Sequence, residues 1–182
     1  GNDGIKINDP YTTQGIIGQG MYFADATGDK FDLDTTMEFN DNVDWTVSTW
    51  VKTSETGTQS IMSNQSGGPA SNAFRIMSNV IAYYHYDGSW QTELGASTVT
   101  DGEWHHLVWA NDGNTQTLDM YVDGVLDADN VASDVTNTGP VNRIGSDWGN
   151  NSLTGTMDDL RVYYNTLTSD EIQRLYNATR PS

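Results

Sequence analysis

Polar and apolar residues alternate with a period of two along most of this chain, and the longer period of a helix shows only near its end. Residues 21–25 (MYFAD), 45–52 (WTVSTWVK), 60–64 (SIMSN), 73–78 (AFRIMS), 80–86 (VIAYYHY), 104–111 (WHHLVWAN), 117–124 (TLDMYVDG) and 157–165 (MDDLRVYYN) each fit a strand. Between them, Asp87-Gly88, Asp101-Gly102, Asp112-Gly113 and Asp123-Gly124 supply glycines for the positive φ that hairpin turns require. Near the end, Thr168 followed by Glu171 makes a capping box, and Ile172, Leu175 and Tyr176 share one stripe of a short helix over 168–177. The strands, their polar breaks and the lack of repeats or linkers predict one all-β unit over residues 1–182, a sandwich or jelly roll structured from about residue 5 to 178.

Composition narrows the function classes. The 182 residues carry 25 Asp and Glu against 8 Lys and Arg, a formal net charge of −17, and 20 of the acids are aspartates spread along the chain. Such a field repels nucleic acid and anionic membranes and attracts cations. No run of about eighteen apolar residues occurs, so membrane insertion is not expected. Without cysteine, neither a disulfide framework nor a thiolate metal site is available, and the fold must rest on packing, helped at most by an oxygen-ligated ion. The start, GNDGIKIND, has no methionine and none of the regions of a signal peptide. The chain reads as a monomeric module excised from a larger, multidomain protein.

The tryptophans divide by context. Trp45, Trp50, Trp104 and Trp109 stand in predicted strands beside Val, Leu and Thr and read as core or strand-edge packing. Trp90 and Trp148 stand among Gly, Ser, Asn and Asp, in DGSWQTELG and GSDWGNNSL, which read as loops. An exposed indole costs about 1 to 2 kcal/mol of hydrophobic free energy unless a ligand covers it. Sugars present C–H faces to such rings and hydroxyls to planar amides, carboxylates or guanidinium groups. Asp147, Asn150 and Asn151 flank Trp148, and Arg75, Tyr84 and Tyr86 precede Trp90, so these eight residues are the candidate carbohydrate site. The plainer reading stays open: Tyr84 and Tyr86 cover a sheet, and Arg75 pairs with one of many carboxylates. His105 and His106 are strand neighbours facing opposite sides and cannot chelate one ion together, and His85 stands alone.

Taken in order, WTVSTWVK at 45–52, GEWHHLVWANDG at 102–113 and NRIGSDWGNNSLTGTMDDLRVYYNTLTSDEIQRLYN at 142–177 resemble the laminin-G-like, concanavalin A-like jelly-roll family, from about Gly15 onward. The chain departs from the family at Phe23-Ala24-Asp25, where Phe-Asp-Gly is usual, and at Asn111, where a tyrosine is usual. The resemblance implies a two-sheet antiparallel jelly-roll β-sandwich with one short C-terminal helix, from a secreted or cell-surface bacterial protein, with Trp104-His105-His106 as scaffold. It also implies a structural calcium ion where the early acidic loop meets the late acidic pair. Calcium takes six to eight oxygen ligands, and Asp25, Asp29 and Asp158 are the candidates. Read without the family, Asp25 and Asp29 serve equally as turn residues, and Asp158 and Asp159, on opposite faces of a strand, as solvated surface.

Polysaccharide-degrading enzymes share this fold class, so catalysis has to be tested at the site. The Glu-x-Asp-x-x-Glu of jelly-roll glucanases is missing, and of the three strands used by jelly-roll alginate lyases only the tyrosine-rich one has an echo, in Tyr83, Tyr84 and Tyr86. The expectation is a non-catalytic carbohydrate-binding module of a secreted polysaccharide-active enzyme or adhesin, binding polysaccharide or glycan. A protein-interaction or spacer domain of a large surface adhesin is the alternative, and a divergent lyase or hydrolase a weaker one.

Overall fold

The computed structural model describes residues 4–24, 28–65, 72–86, 88–132 and 141–180. Their alternating pattern folds into two antiparallel sheets that share one apolar interior, a jelly-roll sandwich. With strands numbered in chain order, the first sheet runs β1 (Gly4–Ile7), β4 (Lys30–Met37), β13 (Val141–Ile144), β6 (Gln59–Ser63), β7 (Ala73–Met77), β8 (Val80–Tyr86) and β9 (Trp90–Thr98). The second runs β12 (Val125–Ala132), β11 (Thr117–Val122), β10 (Trp104–Asp112), β5 (Trp45–Lys52), β14 (Gly155–Tyr163), β3 (Gln19–Phe23) and β2 (Tyr11–Gln14). Trp45, Val47 and Val51 of β5 and Leu107 and Trp109 of β10 meet Phe74, Ile76, Ile81 and Tyr83 of the first sheet in the core. Where the sheets approach at one side, the Asp127 carboxylate accepts from the Ala96 and Ser97 amides at 2.8 and 3.0 Å and ties β12 to β9.

Several expectations change. Strands β1, β2, β9 and β12 were not predicted, and Trp90 opens β9 instead of sitting in a loop. The β11–β12 hairpin has positive φ at both Asp123 and Gly124, the type I′ geometry that matches strand twist. The β7–β8 hairpin achieves the same with Ser78 and Asn79, without a glycine. Asp87 lies outside the described residues. In β14 the register against β5 shifts between Asp158 and Arg161, and Asp159 takes φ +51, so the strand bulges. Met157, Leu160 and Val162 therefore all pack on the core, and the simple alternation assumed for Asp158 and Asp159 does not hold.

The helix, α1 (Ser169–Thr179), starts with the capping box of Thr168 and Glu171 and ends two residues later than expected. It closes over the outer face of the second sheet, where Ile172 joins Val108, Ala110 and Tyr121 in a second apolar cluster. Among the described residues, no helix is long and apolar enough to cross a membrane. His106 lies under α1 against Trp50, ring centroids 5.2 Å apart, and burial pushes its pKa down to about 4. A histidine whose folded pKa is depressed binds fewer protons than the unfolded chain between pH 6.5 and about 4, so it lowers stability as pH falls through that window, by up to about 3 kcal/mol. His105 acts in the opposite sense: hydrogen bonds from its ring to Asp123 (2.8 Å) and Asp101 (3.1 Å) raise its pKa, and its contribution is complete at low pH and lost as pH rises. Denaturant titrations of wild type and His106→Phe should diverge below pH 6.5, the variant losing less stability; parallel curves would remove His106 as the cause.

Candidate functional site

Because Phe74 and Ile76, Ile81 and Tyr83 point inward, their neighbours Ala73 and Arg75, Ala82, Tyr84 and Tyr86 lie on the outer face of the first sheet. Trp90 pairs with Tyr86 across β8 and β9 and joins the same face. The small side chains of Ala73 and Ala82, opposite Tyr84 and Arg75 in the ladder, leave room for the Arg75 guanidinium to lie 4.0 Å above the Tyr84 ring. Trp90 stacks on Tyr84, centroids 4.9 Å apart and planes 8° apart, and Tyr86 meets it edge-on at 5.2 Å.

Trp148 reaches this face from the β13–β14 connection. Gly145 begins it with φ +85, at a point where a Cβ would run into the Phe23 ring. Asp147 then turns inward and is fully buried. Its carboxylate accepts from the Gly149 amide (2.7 Å), the Asn151 amide (3.1 Å) and the Asn151 side chain (2.9 Å), and forms an ion pair with Arg75. Held this way, Trp148 stacks against Trp90 at 5.6 Å and stands 5.3 Å from the Arg75 guanidinium.

Of the eight predicted residues, Trp90, Trp148, Tyr84 and Tyr86 form one aromatic cluster, with Trp90 40% exposed and the other three partly exposed. Arg75 (4% exposed) and Asp147 lie underneath, paired with each other and packed below the rings, where a hydrogen-bonding role on the open face was expected of them. Asn151 spends its amide on Asp147, whereas Asn150 is exposed at the loop tip with φ +59. The rings partly cover one another, leaving an uncharged plane at the surface over a buried ion pair. Such a plane suits flat, C–H-rich or aromatic groups.

A family model described as the concanavalin A-like lectin/glucanases superfamily matches residues 25–173. The chain belongs to this superfamily. No curated protein sequence matches it. Among solved structures, the binding domain of Paraclostridial Mosquitocidal Protein 1 superposes with a TM-score of 0.75 at 12% identity, over 97% of this chain and 47% of that one. The binding domain of botulinum neurotoxin DC, in complex with rat synaptotagmin II, gives 0.72 at 11% identity, over 98% and 47%. Domain 4 of AbnA, an extracellular arabinanase from Geobacillus stearothermophilus in complex with arabinotriose, gives 0.71 at 17% identity, over 95% and 87%. The chain thus spans about half the length of the two toxin binding domains, and at these identities the likeness is one of fold.

Of the three aspartates expected to ligate calcium, the two described, Asp29 and Asp158, fall in separate places in this lectin/glucanase-like sandwich. Asp25 lies outside the described residues. Asp29 is buried, and its two oxygens accept from the Asp9 and Ala24 amides at 3.1 and 3.0 Å. Asp158 accepts from the Ile17 amide at 2.8 Å and the Asp159 amide at 2.7 Å, in a different loop contact. Among the described residues, no three acidic or histidine side chains are grouped to hold a metal ion. Asp29 and Asp158 act in the described structure as acceptors for backbone amides.

Proposed function

We propose that the domain is a non-catalytic carbohydrate-binding module of a secreted bacterial polysaccharide-active enzyme or adhesin, and that Trp90, Trp148, Tyr84 and Tyr86 stack on the rings of an uncharged glycan. The observation that carries this reading is the position of Trp148, brought from a loop onto the outer sheet face and secured by a buried Arg75–Asp147 pair. A buried ion pair adds little net stability compared with apolar packing, so its use under half-exposed rings is positional. The likeness to an arabinanase domain complexed with arabinotriose, and to a structure of botulinum neurotoxin type C, whose cell entry is dependent upon interaction with two ganglioside molecules, supports a glycan ligand. A protein-interaction role has its own support, the neighbouring toxin domain in complex with synaptotagmin.

A glycan array with wild type and Trp148→Ala separates the two readings. The variant should lose about 1 to 3 kcal/mol of binding free energy, the scale of an aromatic hot spot, with an unchanged melting temperature. Silence of the wild type towards every glycan would favour the protein-interaction role.

A structural calcium ion belongs to the same proposal. It rests on the family resemblance and on the −17 charge, which favours any bound cation. An ion that binds only the folded state stabilises it by mass action, so chelator should lower the melting temperature and excess calcium restore it. An identical melting curve with and without chelator removes the ion from the account.

A further inference from the structure

The second sheet carries another face that the Trp148 platform does not use. Tyr11, Tyr22, Thr156, Lys52 and Trp104 stand opposite one another in register across β2, β3, β14, β5 and β10. Their sequence neighbours Met21, Phe23, Val51 and Met157 turn into the core, so this row faces outward. Four strand spacings make it about 19 Å long. At one end Tyr11, 52% exposed, stacks on Tyr22 with centroids 4.9 Å apart; at the other Trp104 is half-buried.

Two depressions adjoin the row and share Trp104, Gln14 and Gly15: one of about 390 Å³ that includes Lys52 and Thr156, and one of about 530 Å³ that includes Ile17, Thr179 and Arg180. The loop at Gly15–Ile17 and the end of α1 form the sides of the second depression. That loop is fixed by the Ile17 amide on Asp158 and by the close approach of Gly15, where a Cβ would strike the Asp158 carboxylate.

Charge marks the same place. Lys6, Arg75, Arg143 and Arg161 are each paired with an aspartate. Among the described residues Lys30, Lys52, Arg174 and Arg180 form no such ion pair, and of these four Lys52 and Arg180 each line a depression that Trp104 also lines. Two of the four unpaired cations thus converge on one indole, in a chain this acidic, and complement an anion that is not part of the protein.

We propose that this row is a second saccharide-binding trough, selective for an oligosaccharide that carries a carboxylate. Trp104 and Tyr22 pack on the sugar faces, Lys52 and Arg180 receive the carboxylate, and Thr156 and Gln14 meet hydroxyls. The net charge of −17 disfavours a dense polyanion and leaves a mostly neutral chain with an isolated uronic acid as the fitting ligand. The inference does not depend on the Trp90 and Trp148 platform, which lies on the other sheet and is uncharged.

Calorimetric titration with glucuronic-acid-substituted xylotriose tests it, using the full chain with Trp90→Ala and Trp148→Ala combined so that the first platform is disabled. The acidic sugar should still bind this protein, and its carboxyl-reduced form about tenfold more weakly, the scale of a hydrogen bond to a charged group. Lys52→Gln, at an exposed side chain, should weaken the acidic sugar by a similar factor and leave the reduced sugar unchanged. Trp104→Phe, which keeps a ring in the half-buried position, should weaken both. Loss of all binding in the platform-disabled protein, or equal affinity for the acidic and reduced sugars, would overturn the proposal. Neither outcome bears on the glycan-array result for Trp148→Ala.

Discussion

Replacing Asp147 with alanine should lower the unfolding free energy by about 3 to 5 kcal/mol, a cost typical of stranding one partner of a buried ion pair. Its carboxylate is fully buried, and removing it leaves the Arg75 guanidinium, 4% exposed, without its counter-charge. It also frees the Gly149 and Asn151 amides that set the turn under Trp148. Two effects are therefore superposed, and a second variant separates them. Combining Arg75→Met with Asp147→Asn removes both charges, keeps an acceptor for the turn amides, and should recover most of the stability, because paired removal of buried charge is often neutral. Glycan affinity should stay reduced in that protein, since Trp148 and Tyr84 lose the guanidinium that lies against both rings. Urea denaturation gives the first quantity and titration with a glycan from the array the second. A loss below about 1 kcal/mol for Asp147→Ala would mean that the pair behaves as a solvated surface bridge.

How far the sequence led follows from the range of the interactions concerned. The helix was legible because the Thr168 and Glu171 capping box is complete within four residues. Strands β5, β8 and β10 were legible because their large apolar residues alternate toward the core, although β5 and β10 prove to be buried on both faces, the outer one under α1. Strand β9 was not, since it is an edge strand with a mostly exposed pattern, and its Trp90 took on the character of the surrounding glycine and serine. Within the site, Trp148 was suggested by its own loop, but the burial of Asp147 under it was hidden. Arg75 and Asp147 lie 72 positions apart, and they meet only because β13 pairs with β6 and β6 with β7. The bulge at Asp159 was equally hidden, because nothing in Met-Asp-Asp-Leu signals an extra residue. Trp50 and Trp104 looked alike in sequence and differ in fate: α1 covers one and ends beside the other.

That difference makes Trp50→Ala the second large effect. Trp50 is 1% exposed, stacks on Tyr176 at 5.6 Å, and donates its indole N–H to the Thr179 hydroxyl at 2.9 Å. Truncating such a ring costs about 3 to 5 kcal/mol from lost burial and the cavity left behind. Trp109→Ala should cost about as much, but Trp109 lies between the sheets and its N–H goes to the Ala82 carbonyl, so it loosens both sheets together. Trp50 instead joins the second sheet to α1 alone. In Trp50→Ala, amide exchange over residues 169–179 should therefore accelerate well before the sheets open, while in Trp109→Ala helix and sheets should exchange as one unit. Trp50→Phe keeps the stacking and loses the hydrogen bond, for about 1 kcal/mol. Detaching α1 also removes the wall that holds Thr179 and Arg180 beside Trp104, so binding in the second trough should fail in Trp50→Ala while binding at the Trp148 platform persists. If helix and sheets exchange together in Trp50→Ala, α1 is an inseparable part of the sandwich, and the two faces cannot be uncoupled through it.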